Sequence, residues 1–108
     1  MSAKLKSSPQ AAPTTDWKRV VDLVQTSRAM DAIEETILVP GKKIFYQFSA
    51  RGHDMAQVLL GLQLTHPKDA ICGYYRSRPI LLSLGVALED ALGSAMGRAG
   101  GYSDGRDI

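Results

Sequence analysis

The residues best suited to chemistry lie in one short stretch, 68–79, where two tyrosines precede two arginines. The apolar run at 70–72 is typical of a brief buried strand, which would end by presenting Arg76 to a ligand. A guanidinium offers paired donors and stays charged, so an arginine beside tyrosine hydroxyls suits a phosphate group. Alternatively, Arg76 and Arg78 are solvated charges beside half-buried tyrosines, and the residue types alone leave both interpretations open.

The other reactive side chains do not form a catalytic set by their spacing. His53 and Asp54 are neighbours on a predicted helix, so they point about 100° apart and do not form a dyad. His53 is predicted to cap or pack the start of that helix. Cys72 lies within the apolar run and is predicted to be a small buried side chain, not a nucleophile. No pair of these residues has the spacing of metal ligands.

The elements that must position these residues are predicted to be mostly helices, with one or two short strands. Apolar residues at helical spacing predict a helix over residues 17–37, capped by Thr15 or Asp16. Its charged residues, including Asp31 and Glu34, are assigned to the opposite, solvent side. The remaining segments are a turn at 39–42, extended runs at 43–49 and 70–72, helical patterns at 53–64 and 87–96 with an apolar segment at 80–84 between them, and a glycine-rich loop at 97–108.

Length and composition describe one small folded domain and give few clues to a partner. The chain has 108 residues, 44% hydrophobic and 22% charged, as in globular proteins. A net charge of +2 and the lack of a dense Lys/Arg stripe argue against nucleic acid, and no apolar run is long enough for a membrane span. Residues 1–15 are predicted to be a disordered tail. Residues 16–108 are predicted to be the incomplete N-terminal part of a larger domain, because one convincing strand does not make a parallel sheet.

From residue 48 onward, the order of several short motifs resembles one enzyme family. The motifs are residues 48–57, Asp69, Tyr75-Arg76, Leu84-Gly85, residues 88–92, residues 97–101 and Gly105-Arg106. In this order and spacing they resemble the α subunit of the thiamine diphosphate-dependent dehydrogenase component of 2-oxo acid dehydrogenase complexes, or the α part of a fused α/β chain.

The resemblance implies an α/β thiamine diphosphate-binding fold in the full protein and assigns roles to four residues. Tyr75 and Arg76 match the family pair that contacts the cofactor's diphosphate, and Tyr74 is a weaker candidate. Tyr46 falls near an aromatic residue that lines the 2-oxo acid pocket, although aromatic residues most often serve packing, which is the preferred interpretation of Phe45, Tyr46 and Phe48 from the residues alone. Arg78 departs from the family pattern, and its role is left open. The family's magnesium-binding motif and catalytic histidines lie outside this segment, so the chain alone is predicted to be inactive.

The implied enzyme decarboxylates a 2-oxo acid, of the branched-chain type by the nearest resemblance, and passes the acyl group to a lipoyl arm. Its partners would be the β subunit or β part and the lipoyl-bearing acyltransferase, with thiamine diphosphate and magnesium as cofactors. The bacterial cytoplasm is the predicted compartment, and the mitochondrial matrix is the alternative. A second class of function stays open, namely a small helical protein-interaction module without a ligand.

Overall fold

The computed structural model describes residues 14–106 as a set of helices joined by irregular segments. The helices are α1 (Trp17–Ile33), which runs directly into a π-helical turn (Glu34–Leu38), then α2 (Asp54–Gly61), α3 (Arg78–Ser83) and α4 (Leu88–Ala95). The mostly helical content predicted from the sequence is therefore confirmed for the part of the chain that the structure describes. Within it, no helix is both long enough and apolar enough to cross a bilayer.

The first helix begins where its capping residue predicts. The Asp16 carboxylate accepts a hydrogen bond from the backbone N–H of Arg19 at 3.1 Å, which satisfies one of the donors left free at a helix start. At the other end, the π turn closes with the N–H of Val39 donating to the carbonyl of Glu34 at 2.8 Å. The predicted helix over residues 17–37 is thus one continuous helical segment whose last turn is wider than an α-helical turn.

The hydrophobic core lies where α1, α2 and α3 meet. Its buried side chains are Val20, Leu23, Val24 and Met30 of α1, with Val58 of α2 and Leu82 of α3. The second and third helices approach so closely that a Cβ at Gly61 would lie 2.9 Å from the Ser83 Cβ and against the Ser83 hydroxyl. Gly61 is therefore required by the contact between these two helices, since a larger side chain would have to push them apart.

The predicted strands are wrong for the described residues, which contain no strand. Residues 43–49 and 70–72 are irregular and lack strand partners, although residues 43–49 pack along α1. A strand needs a neighbouring strand to satisfy its backbone groups, and neither segment has one in residues 14–106. Cys72 is exposed, so its predicted burial is also wrong, because the run that carries it does not enter the core.

Candidate functional site

A buried carboxylate, that of Asp31, holds the irregular segment 43–50 against the helices. It accepts hydrogen bonds from the Gln47 amide at 3.1 Å, the Ser49 hydroxyl at 2.9 Å, the Ala50 backbone N–H at 3.1 Å and the Arg78 guanidinium at 3.0 Å. Asp31 is only 1% exposed, so a protein donor replaces each hydrogen bond that water would otherwise make. This one side chain ties α1, α3 and the segment between α1 and α2 together.

The Arg78 guanidinium is shared between two buried carboxylates. It pairs with Asp31 through one nitrogen and with Glu34 through the other, and its side chain is 17% exposed. Arg78 is therefore not a solvated charge, and the interpretation that placed it at the surface is wrong. The assignment of Asp31 and Glu34 to the solvent side of α1 is wrong as well, since both are buried.

This cluster holds more negative than positive charge. Two carboxylates, Asp31 and Glu34, face one guanidinium, that of Arg78. Burial raises the pKa of Glu34, and the nearby charges of Asp31 and Glu35 add to that rise, while Arg78 opposes it. Desolvation thus outweighs the attraction of the single arginine, as is usual when a buried charge is only partly compensated.

Four aromatic side chains form a continuous row, defined here as the aromatic row. The Tyr46 and Phe48 ring centroids are 5.1 Å apart, Phe48 and Tyr75 are 4.4 Å apart, and Tyr75 and Tyr74 are 5.0 Å apart. These separations lie within the range of favourable tilted and edge-to-face contacts. Two distant segments of sequence, 46–48 and 74–75, are therefore joined by ring packing.

The Arg76 side chain lies against this row and is half-buried. Its guanidinium carbon is 5.7 Å from the Phe48 centroid and 5.4 Å from the Tyr75 centroid, which is the geometry of a cation–π contact. One guanidinium nitrogen donates to the Ser49 carbonyl, and the Gln57 amide donates to the Arg76 carbonyl at 2.9 Å. No carboxylate within residues 14–106 forms an ion pair with Arg76.

A cleft of about 800 Å³ is lined by the aromatic row and by residues of α3 and α4. Its volume falls in the range of small-molecule sites. Tyr102 also lines it, as do apolar residues of α3, α4 and the link between them, namely Leu81, Leu82, Val86, Ala91 and Ala95. The charged side chains in the lining are Glu34, Arg78 and Asp90. Ser103 also lines the cleft, and its hydroxyl is buried with no hydrogen-bond partner among the described residues.

A second ion pair fixes α1 against the start of α2, away from the cleft. The Arg28 guanidinium donates to Asp54 at 2.6 Å and 3.2 Å, and Asp54 is 2% exposed. The hydrogen bond from Arg28 is the main cause that lowers the pKa of Asp54. His53 takes the N-cap position of α2, but its side chain makes no capping hydrogen bond. Arg28 and Asp54 therefore join the two helices, whereas His53 is exposed, and none of the three lines the cleft.

The family resemblance also implies a bound magnesium ion. Among the described residues, no group of three or more His, Cys, Asp or Glu side chains could hold a metal ion. The donor set seen in residues 14–106 therefore does not fit a magnesium site, and any ligands for that metal would have to come from elsewhere.

Comparison with known proteins gave no match, since no family model, curated protein or solved structure resembles the chain closely enough. The family resemblance inferred from the order of motifs therefore stays a prediction.

Sequence reasoning missed the buried cluster although α1 carries a signal for it. Val20, Val24, Ser27, Asp31 and Glu34 follow one another at spacings of four and three, so the two acids continue the buried stripe of the helix. This pattern was missed because the acidic residues of the helix were predicted to face the solvent. Two carboxylates that continue an apolar stripe predict a buried basic partner, which here is Arg78.

Proposed function

We propose that the chain is the N-terminal segment of the α subunit, or of the α part of a fused α/β chain, of a thiamine diphosphate-dependent 2-oxo acid dehydrogenase. One observation carries the proposal. Tyr46, which the resemblance assigns to the substrate, and Tyr74 and Tyr75, which it assigns to the cofactor, come from separate motifs yet lie in one row along one cleft. Residues that serve one reaction must be close together, and packing alone does not require these particular residues to meet.

In this proposal, Arg76 is the diphosphate-binding residue. Its bond to the Ser49 carbonyl and its contact with two rings orient the guanidinium, which leaves other N–H groups for phosphate oxygens. The Tyr75 side chain is 62% exposed, so its hydroxyl is accessible to a ligand. Arg78 is excluded from this role, because both buried carboxylates already occupy its guanidinium.

The cofactor, when bound, supplies the carbanion chemistry by which a 2-oxo acid loses carbon dioxide. The residues of this chain would bind and orient it: Arg76 and Tyr75 at the diphosphate, Tyr74 beside them, and Tyr46 toward the substrate. The magnesium ligands, the β part and the lipoyl-bearing acyltransferase belong to the same proposal, as does the bacterial cytoplasm. Branched-chain 2-oxo acids are the substrates we favour.

The test is the apparent dissociation constant for thiamine diphosphate with magnesium, measured on the protein expressed from its whole reading frame together with any β part. Arg76→Ala should weaken binding by about tenfold to a hundredfold, since a hydrogen bond to a charged group contributes about 1.5–3 kcal/mol. Tyr75→Phe should cost less, about fivefold, because it removes one neutral donor. Arg19→Ala, at an exposed arginine of α1 outside the cleft and outside the family motifs, is the matched control. Unchanged binding by Arg76→Ala would overturn the assignment.

A second candidate, the helical interaction module without a ligand, is favoured by a different observation. Several large apolar side chains are strongly exposed, with Phe45 and Tyr102 at 79% and Trp17 at 59%. Exposed aromatic residues of this kind are typical of protein-binding surfaces. The reading frame after Ile108 separates the two functions. A Gly-Asp-Gly motif followed by an asparagine favours the enzyme, while a stop codon there favours the module.

A further inference from the structure

The cleft has an excess of negative charge beside its aromatic row. Two carboxylates, Glu34 and Asp90, line it together with one guanidinium, that of Arg78. Two charged groups outside the lining, Asp31, bound to Arg78, and Arg76, stacked on the aromatic row, have opposite signs. The lining itself therefore carries more acidic than basic groups.

The rings of the cleft are also suited to positive charge. Aromatic faces carry partial negative charge and attract cations held within about 6 Å of the ring centroid. Phe48 and Tyr75 already hold the Arg76 guanidinium in this way. Tyr46, Tyr74 and Tyr102 line the same cleft without a cation among the described residues, and their side chains are exposed by 43%, 57% and 79%.

The hydrogen-bonding groups of the cleft favour one kind of cation. Glu34 is bound to Arg78, so its carboxylate has little capacity left for a new donor. Asp90 makes no ion pair within the described residues, and several other lining residues are apolar, among them Leu81, Val86 and Ala95. A cation rich in N–H groups would leave donors unpaired against these residues, whereas an alkylated nitrogen has no donor to satisfy.

We propose that this cleft binds a small organic cation whose charge lies on an alkylated nitrogen, held by the rings of Tyr46, Tyr74 and Tyr102 and by the carboxylate of Asp90. The proposal does not rest on the function proposed above. It shares Tyr46 and Tyr74 with that function but uses different charged groups, since a diphosphate needs Arg76 and a cation needs Asp90.

Calorimetric titration of the full chain with choline tests this site. The comparison ligand is the neutral carbon isostere of choline, in which a tert-butyl group replaces the trimethylammonium group. Both have the same shape, so a difference in affinity measures the effect of charge. Choline should bind about tenfold more tightly than the isostere. Equal affinities, or no binding of choline at millimolar concentration, would overturn the proposal.

Four variants then locate the site. Asp90→Asn should weaken choline several-fold and leave the isostere unchanged, because it removes charge and keeps shape. Tyr74→Leu should weaken choline, while Tyr74→Phe should retain its affinity, because the ring and not the hydroxyl provides the attraction. Asp22→Asn, at an exposed acid of α1 outside the cleft, should have no effect. An Asp90→Asn variant that binds choline as tightly as the wild type would place the ligand elsewhere.

Discussion

The first and last helices of the described chain are held in different ways. In sequence α4 has the cleaner separation of apolar and polar faces, yet it buries no residue completely, and only Ala91 and Leu92 pack against the core. The inward face of α1 includes Ser27 and Asp31, which are buried, and Glu34 continues that face into the π turn and is buried as well. Burial is thus set by the partners that a helix meets. Polar residues belong in the interior where a second element, here α3 with its arginine, satisfies them.

The largest expected effect breaks the buried cluster of α1. Arg78→Ala removes the cation that Asp31 and Glu34 share within residues 14–106, and breaking a buried ion pair from one side costs about 3–5 kcal/mol of unfolding free energy. Urea denaturation followed by circular dichroism measures it. The exposed Arg98, close to α4, gives the control, and Arg98→Ala should change stability by less than about 0.5 kcal/mol. A similar loss of unfolding free energy in both variants would mean that the buried cluster and the surroundings of α4 do not differ in this way.

Replacing glycine by alanine should lower the stability at the contact between α2 and α3 but raise it in α4. Gly61→Ala places a Cβ against Ser83 at the contact between α2 and α3, and overpacking of this kind costs about 1–3 kcal/mol. Gly93→Ala in α4 meets only the Arg98 Cβ at 3.9 Å, so it should stabilise by about 0.5–1 kcal/mol through helix propensity. Thermal unfolding of both variants checks this, and a loss of stability in Gly93→Ala would show that α4 is packed as tightly as α2.

The two buried acids with shifted pKa values should respond to pH with opposite signs. Asp54 has a pKa below its ordinary 3.8 because Arg28 donates to it, so its contribution to stability is present above that value and is lost as the pH falls through the lowered pKa. Glu34 has a pKa above its ordinary 4.5 because of burial, so its contribution is present below that value and is lost as the pH rises through the raised pKa.

Urea denaturation across the acidic range, on wild type and two amide variants, measures these signs. The stability advantage of the wild type over Asp54→Asn should shrink as the pH falls. Its advantage over Glu34→Gln should instead grow as the pH falls. If both differences change in the same direction, the opposing causes assigned to the two pKa shifts are wrong.

The smallest effect concerns the irregular segment before α3. Cys72→Ser should change stability by less than about 0.5 kcal/mol, because the side chain is exposed and outside the core. The wild-type thiol should react with a thiol reagent at the same rate in the native and the denatured chain, to within about tenfold. Reaction only after unfolding would mean that segment 70–72 is buried, as its sequence predicted.

Much of the helical content could be predicted from the sequence, because it depends on local signals. The cap at Asp16, the break at 39–42 and the helix within 87–96 all follow from neighbouring residues. The buried cluster could not, since Asp31 and Arg78 are 47 positions apart and nothing local marks them as partners. The prediction of a strand at 70–72 was wrong for the same reason, since a strand depends on a neighbouring strand elsewhere in the chain.

The candidate site was predicted in part. Tyr46, Tyr74 and Tyr75 were selected from motif order, and the structure brings them to one cleft, but their roles there stay predictions. Arg76 and Arg78 were both considered as charged groups near the tyrosines, and only the structure separates them. Arg76 is stacked on rings and donates to a backbone carbonyl, while Arg78 forms ion pairs with two carboxylates.

The π turn at Glu34–Leu38 has a consequence for how the chain tolerates changes in length. It holds more residues per turn than an α-helix, so it acts as a one-residue offset between α1 and the segment that follows. The Leu38 carbonyl then accepts hydrogen bonds from the N–H groups of Lys43 and Ile44, which fixes the orientation in which the aromatic segment 45–48 begins. Deleting a single residue here would restore the ordinary helical pitch and turn every later residue by about 100°. Segment 43–50 would thereby lose its alignment with the Asp31 carboxylate of α1, and we expect this turn to accept substitutions far more readily than a deletion.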